Sequence, residues 1–80
     1  MTEPRTNLQK VRIKKGLSQK ELSTLSGVPF KSIQNYEQRH RDIDGAKLET
    51  LCDIAAALDC GIENITESET LKKKYIKMKN

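Results

Sequence analysis

Side chains able to form hydrogen bonds with nucleic-acid bases follow one another closely in the middle of the chain. Lys31, Gln34 and Asn35 are spaced like residues on one side of a helix. Lysine can donate to guanine, and Asn or Gln amides can bond adenine through two hydrogen bonds. Arg39 and Arg41 follow and could reach backbone phosphates. The segment therefore has the chemistry of a DNA-contacting surface, although a helix that merely faces water is also polar.

Side chains that would support catalysis or metal binding are sparse. His40 is the single histidine, and it has no second histidine or catalytic carboxylate at a useful spacing. Cys52 and Cys60 match neither a disulfide framework nor a zinc motif, and Cys52 beside an apolar stripe would pack as a small hydrophobe. We therefore expect no metal and no cofactor, and an enzyme is the least supported function class.

Charge is distributed unevenly along the chain. Residues 1–41 carry nine Lys or Arg and three acids, residues 42–65 carry one Lys and six acids, and residues 66–80 carry five Lys and two Glu. This pattern suits a module that turns one side to a polyanion, although small domains are often patchy. There is no long apolar run and no signal peptide, which predicts a cytoplasmic protein without a membrane span.

Two helix signals with a glycine turn between them position the polar segment. Ser18 followed by Glu21 forms a capping box, which predicts a helix over residues 19–26. Gly27 can adopt the positive φ that ends this helix, and a proline can begin the next helix, at about residues 29–38. In such a pair one helix supports the other in a DNA groove.

Three more helices complete an all-α domain over residues 7–65. They are predicted at about 7–15, at about 45–58 with Asp44 as the cap, and as a short turn at 62–65. Residues 1–6 are expected to be a flexible N-terminus, and residues 66–80 a lysine-rich tail that is either an amphipathic helix or frayed. The apolar stripe of the fourth helix comprises Leu48, Leu51, Ala55 and Leu58, widened by Cys52 and Ile54.

One charged residue falls on the inward side of the third helix. Ile33, Tyr36 and Glu37 share an arc facing the domain body, where an unpaired carboxylate would be costly. Arg12 lies on the inward stripe of the first helix. The pattern favours a structural Arg12–Glu37 ion pair over two separately solvated charges.

These residues together resemble the helix-turn-helix class of phage repressors, typified by lambda repressor and Cro. The similarity runs from Leu8 to Ile65 and includes the Gly16–Gln19 segment, Gly27-Val28 and Tyr36-Glu37. It implies a compact five-helix, lambda-repressor-like domain whose third helix enters the major groove. The positions that match contacts with bases and nearby phosphates are Gln19, Phe30, Lys31, Ser32 and Asn35, with Gln34 at the edge of the same face.

Several residues depart from the pattern of this class. Ser23 replaces a usual alanine, so its hydroxyl needs a backbone partner. Phe30 could pack on a thymine methyl or fold back against the core. Arg39 and Asp59 stand where relatives often have glycine, which tolerates positive φ more easily.

The leading hypothesis is a sequence-specific DNA-binding transcriptional regulator, a repressor or autorepressor of a bacterium or phage. One copy contacts few base pairs, so we expect a homodimer on a pseudo-palindromic site of double-stranded DNA. The alternative is a protein-interaction module, such as the antitoxin of a toxin–antitoxin pair, in which the acidic residues 42–65 and the tail bind a protein partner.

Overall fold

Four α-helices make up just over half of the residues that the structure describes. A computed structural model describes residues 5–67, and within them there is no strand. The elements are α1 (Asn7–Lys14), α2 (Gln19–Ser26), α3 (Phe30–Glu37), a 3₁₀ turn (Ile43–Gly45), α4 (Leu48–Ala57) and a second 3₁₀ turn (Ile62–Asn64). The all-α class is confirmed. The predicted count of five helices is wrong, because the last element is one 3₁₀ turn, closed by the Ile65 N–H on the Ile62 carbonyl.

The second helix begins and ends where local signals predict. The Glu21 N–H donates to Ser18 Oγ at 3.0 Å, and the Ser18 N–H donates to Glu21 Oε1 at 2.8 Å. That backbone donor lowers the pKa of the Glu21 carboxyl. Gly27 ends the helix with φ of 76°. The Ser23 hydroxyl finds the expected backbone partner, the Val28 carbonyl at 2.6 Å.

The fourth helix begins three residues later than predicted, and Asp44 does not cap it. The Asp42 carboxylate instead accepts from the Asp44 N–H at 3.0 Å and caps the first 3₁₀ turn. Ala46 and Lys47 then return to extended backbone, so α4 starts at Leu48 with no side-chain cap. The third helix also starts one residue late, because Pro29 is extended and serves as its N-cap.

The apolar core lies between the four helices. Its members are Leu8, Leu22, Val28, Ile33, Tyr36, Ile43, Leu51, Ile54, Ala55, Leu58, Ile62 and Ile65. The predicted stripe on α4 is wrong at two positions, since Leu48 is 67% exposed and Cys52 is exposed. Leu48 opens the first turn of α4, beyond the edge of the core. Cys60 is half-buried, and this burial raises the pKa of its thiol.

The packed body reaches slightly past the limits drawn from the sequence. Thr6 is buried, and its Oγ1 accepts from the Gln9 N–H at 3.1 Å, so it caps α1. Thr66 is fully buried. The predicted flexible residues 1–4 and the tail residues 68–80 lie outside the described part of the chain.

Helix packing leaves one side of α3 open. The α2 helix packs against both α3 and α4, while α1 packs against α3 and the second 3₁₀ turn. These contacts cover the face of α3 that carries Ile33, Tyr36 and Glu37, all of which are buried. The polar side of α3 is therefore available to a ligand.

Candidate nucleic-acid interface

The outward side of α3 presents a graded set of polar side chains. Lys31 and Gln38 are exposed, while Ser32, Gln34 and Asn35 are half-buried. The half-buried positions flank the core side of the helix, which restricts where their side chains can point. Amide groups restricted in this way suit hydrogen bonding to base edges better than fully mobile ones would.

A buried ion pair anchors α3 from behind. Arg12 Nε lies 2.6 Å from Glu37 Oε2, and Arg12 Nη2 lies 3.0 Å from Glu37 Oε1, so the contact is bidentate. The Glu37 side chain is 1% exposed and that of Arg12 is 11% exposed. Arg12 also donates through Nη1 to the Leu17 carbonyl at 2.7 Å. The guanidinium thus links three elements: helix α1, the loop between α1 and α2, and helix α3.

Gln19 completes this network, a role that no sequence pattern predicts. Its Nε2 donates to Glu37 Oε1 at 3.0 Å. The first residue of α2 is therefore tied to the last residue of α3, and the amide is held in one orientation. Gln19 remains half-buried, so the side chain is still reachable from the surface. No local pattern could reveal this bond, because it joins residues 18 positions apart.

Phe30 is not part of the core. Its side chain stands at the start of α3 and is 42% exposed. Of the two orientations left open by the sequence, the one folded back into the core is therefore absent. The only phenylalanine of the chain instead presents an aromatic ring beside Lys31.

The loop after α3 carries the two arginines. Asn35 accepts at its carbonyl from the N–H groups of His40 and Arg41 at 2.9 and 3.2 Å, which closes the helix end. Arg39 adopts φ of 61°, in the left-handed region expected of glycine. Asp59, which follows α4, occupies the same region with φ of 52°. Arg41 is exposed, with its guanidinium carbon 5.9 Å from the Tyr36 ring centre.

Arg39 has an acidic neighbour from the C-terminal end of the described chain. Its Nη1 lies 2.9 Å from Glu67 Oε1. Glu67 belongs to the segment predicted as a lysine-rich tail, and no sequence pattern indicates a function for it. This carboxylate lies 28 residues from Arg39 along the chain, so only the tertiary structure could bring the two together.

A family comparison assigns this arrangement to a known class. The family profile described as "Helix-turn-helix" matches residues 8–65, which include every core residue of the domain. The chain belongs to this helix-turn-helix family. The resemblance to Cro-type and phage-repressor domains is thereby confirmed. Comparisons with curated proteins and with solved structures found no significant match.

Membership in the helix-turn-helix family assigns a general activity. Domains of this family bind DNA and regulate transcription, and they are not typically catalytic. Among residues 5–67, no cluster of His, Cys, Asp and Glu could hold a metal ion. None of the helices in that same range is long and apolar enough to cross a membrane.

Proposed function

We propose that this helix-turn-helix protein is a sequence-specific repressor or autorepressor of a bacterium or phage, acting in the cytoplasm. Its third helix would enter the major groove of double-stranded DNA. The observation that carries the proposal is the combination of an open polar side on α3 with a buried Arg12–Glu37–Gln19 network behind it. A helix that contacts bases must be held rigidly, because misplaced donors lose hydrogen-bond geometry.

The side chains divide into two groups by the chemistry that they offer. We assign base contacts to the start and outward side of α3, namely Phe30, Lys31, Ser32, Gln34 and Asn35. We assign phosphate contacts to Arg39 and Arg41, which follow α3 and offer cations rather than a fixed pattern of donors and acceptors. Gln19 would support the same end of α3 from α2, beside bases and the neighbouring phosphates.

A single domain of this size would contact too few base pairs to select one site. Two copies on a pseudo-palindrome would solve this, with half-sites about one helical turn apart or a multiple of it. Ile62 and Ile65, near the C-terminal end of the described chain, are buried within the protomer and cannot contact a second copy. On α4 the exposed Leu48 is an apolar group able to contact a second copy.

Selection of bound sequences from random duplex DNA tests the proposal directly. We expect enrichment of a short inverted repeat with fixed spacing between its halves. Enrichment of one short motif without symmetry would retain sequence-specific binding and remove the homodimer. Failure to retain any duplex at low salt would overturn the proposed function.

Asn35→Ala should weaken binding to the selected site by about 1–3 kcal/mol and leave random DNA nearly unaffected, because a base-edge contact carries sequence information. Arg41→Ala is the matched comparison. It should weaken both targets similarly and reduce the slope of log affinity against log salt by about one. A salt titration of both variants on both duplexes measures this. An equal loss on random DNA for Asn35→Ala would contradict its assignment to bases.

Phe30 offers a test at the level of a single methyl group. An exposed aromatic ring at the start of α3 can pack on the 5-methyl of thymine. Replacing the thymines of the selected site one at a time by uracil should therefore weaken wild-type binding at one position in each half-site. In Phe30→Ala this preference should disappear, so that thymine and uracil at that position give equal affinity. If no uracil substitution affects the wild type, Phe30 does not contact a thymine methyl.

The alternative function, a protein-interaction module such as an antitoxin, has one supporting observation. Glu49 and Asp53 are exposed on α4, one helical turn apart, within the acidic residues 42–65. A basic protein partner could bind this surface while α3 stays open, so the two functions are compatible. Copurification of a partner that is lost in Glu49→Lys but retained in Asn35→Ala would support the alternative.

A further inference from the structure

The carboxylate of Glu67 joins two distant parts of the domain. Its Oε1 lies 2.9 Å from Arg39 Nη1 after α3, and its Oε2 accepts from the Asn7 N–H of α1 at 2.9 Å. The backbone around it is also held. The Glu67 N–H donates to Asp44 Oδ1 at 2.8 Å, and the Asn7 side-chain amide donates to the Thr66 carbonyl at 2.8 Å. The carboxylate therefore has a defined position next to the loop that follows α3.

Arg39, which pairs with Glu67, is one of the two arginines assigned to DNA phosphates. A guanidinium binds a carboxylate and a phosphate through the same N–H donors, so the two anions compete for one edge of Arg39. The side chains of Arg39 and Glu67 are 38% and 30% exposed. Solvent screens a pair this exposed and leaves it weak, so a phosphate could displace the carboxylate.

Glu67 would keep a partner after Arg39 turned to DNA. The Asn7 N–H belongs to the first turn of α1, where the helix dipole favours a negative charge. The carboxylate would thus keep a hydrogen-bond donor and remain close to the approaching phosphate, which it repels. Both effects, competition for Arg39 and repulsion of phosphate, lower the affinity for DNA of any sequence.

We propose that Glu67 is an intramolecular competitor of DNA phosphate at Arg39, and that it limits the affinity of the domain for DNA. The proposal rests on the proposed function. It makes the C-terminal end of the domain a regulatory element, because any event that withdraws Glu67 from Arg39 would strengthen binding without altering the base contacts.

The affinity of Glu67→Gln for a random duplex, measured over a range of salt concentrations, tests this proposal. We expect binding about two- to five-fold tighter than wild type at low salt, the range for an exposed ion pair, with the gain shrinking as salt rises. Glutamine retains an oxygen that can accept from the Asn7 N–H. Glu49→Gln is the matched control, since it makes the same chemical change at an exposed residue on α4. The DNA affinity of Glu49→Gln should stay closer to that of wild type than the affinity of Glu67→Gln does.

Two further variants separate direct competition from simple repulsion. In an Arg39→Ala background, Glu67→Gln should give little or no gain. Glu67→Asp keeps the charge but shortens the side chain, so it should tighten binding if contact with Arg39 matters. Thermal unfolding midpoints verify that each variant folds, and Glu67→Asp provides the test if the glutamine variant does not.

Three results would overturn the competition. They are weaker binding by folded Glu67→Gln, an undiminished gain without Arg39, and wild-type affinity in both Glu67 variants. Each of these leaves the proposed function intact, provided that the wild type binds duplex DNA. Absence of wild-type binding at low salt would instead remove the proposed function and this inference together.

Discussion

Leu51→Ala should lower the free energy of unfolding by about 2–5 kcal/mol, the range for emptying a buried leucine site. Leu51 is 5% exposed and packs in the core of the domain, as do Ile54 of α4 and Leu58 at the end of that helix. A small domain has a total stability near the lower end of about 5–15 kcal/mol, so this one substitution could unfold a large part of the population. Urea denaturation followed by circular dichroism measures the change.

The same helix provides a control of the same residue type. Leu48 is 67% exposed, three positions before Leu51. Leu48→Ala should change stability by no more than about 0.5 kcal/mol, as is usual for surface sites. Equal losses in the two variants would mean that both leucines are buried in solution. A Leu51→Ala variant as stable as wild type would show that this side of α4 is not core.

Removing one member of the Arg12–Glu37 pair should cost about 3–5 kcal/mol, because it leaves a charge uncompensated in a buried place. Arg12→Ala is the more informative variant. It strands the Glu37 carboxylate, whose side chain is 1% exposed, with the Gln19 amide as its remaining described donor. It also removes a donor from the Leu17 carbonyl. We expect loss of cooperative thermal unfolding or a large drop in its midpoint.

A double-mutant cycle isolates the pair itself. If the two charges stabilise each other, removing both should cost less than the sum of the two single losses. The cycle uses Arg12→Ala, Glu37→Ala and the double variant, with urea unfolding as the measurement. A coupling energy near zero would show that the two side chains act independently, despite the 2.6 Å contact.

Local interactions made much of this fold predictable from the sequence. Ser18, Glu21 and Gly27 act through bonds between residues three or four positions apart, so the limits of α2 follow from the sequence. The 3.6-residue period separates Ile33 and Tyr36 from the polar side of α3 in the same way. The contact between Arg12 and Glu37 is not local. It followed from the cost of burying an isolated carboxylate, which only a nearby cation offsets.

The start of α4 shows where local signals conflict. Asp42 and Asp44 are both good caps, and the sequence does not say which backbone N–H each one meets. In the fold, Asp42 caps a 3₁₀ turn, and Asp44 instead accepts from the Glu67 N–H. This choice moves the start of the helix to Leu48 and leaves that side chain in solvent.

The candidate site was likewise only partly determined by the sequence. Residue types and helical spacing indicated which side chains of α3 face outward, because both act within one helix. The bond from Gln19 to Glu37 and the one from Arg39 to Glu67 depend on how separate elements pack. Long polar side chains have many possible partners in an unfolded chain, and only the packed backbone brings one donor and one acceptor within hydrogen-bonding distance.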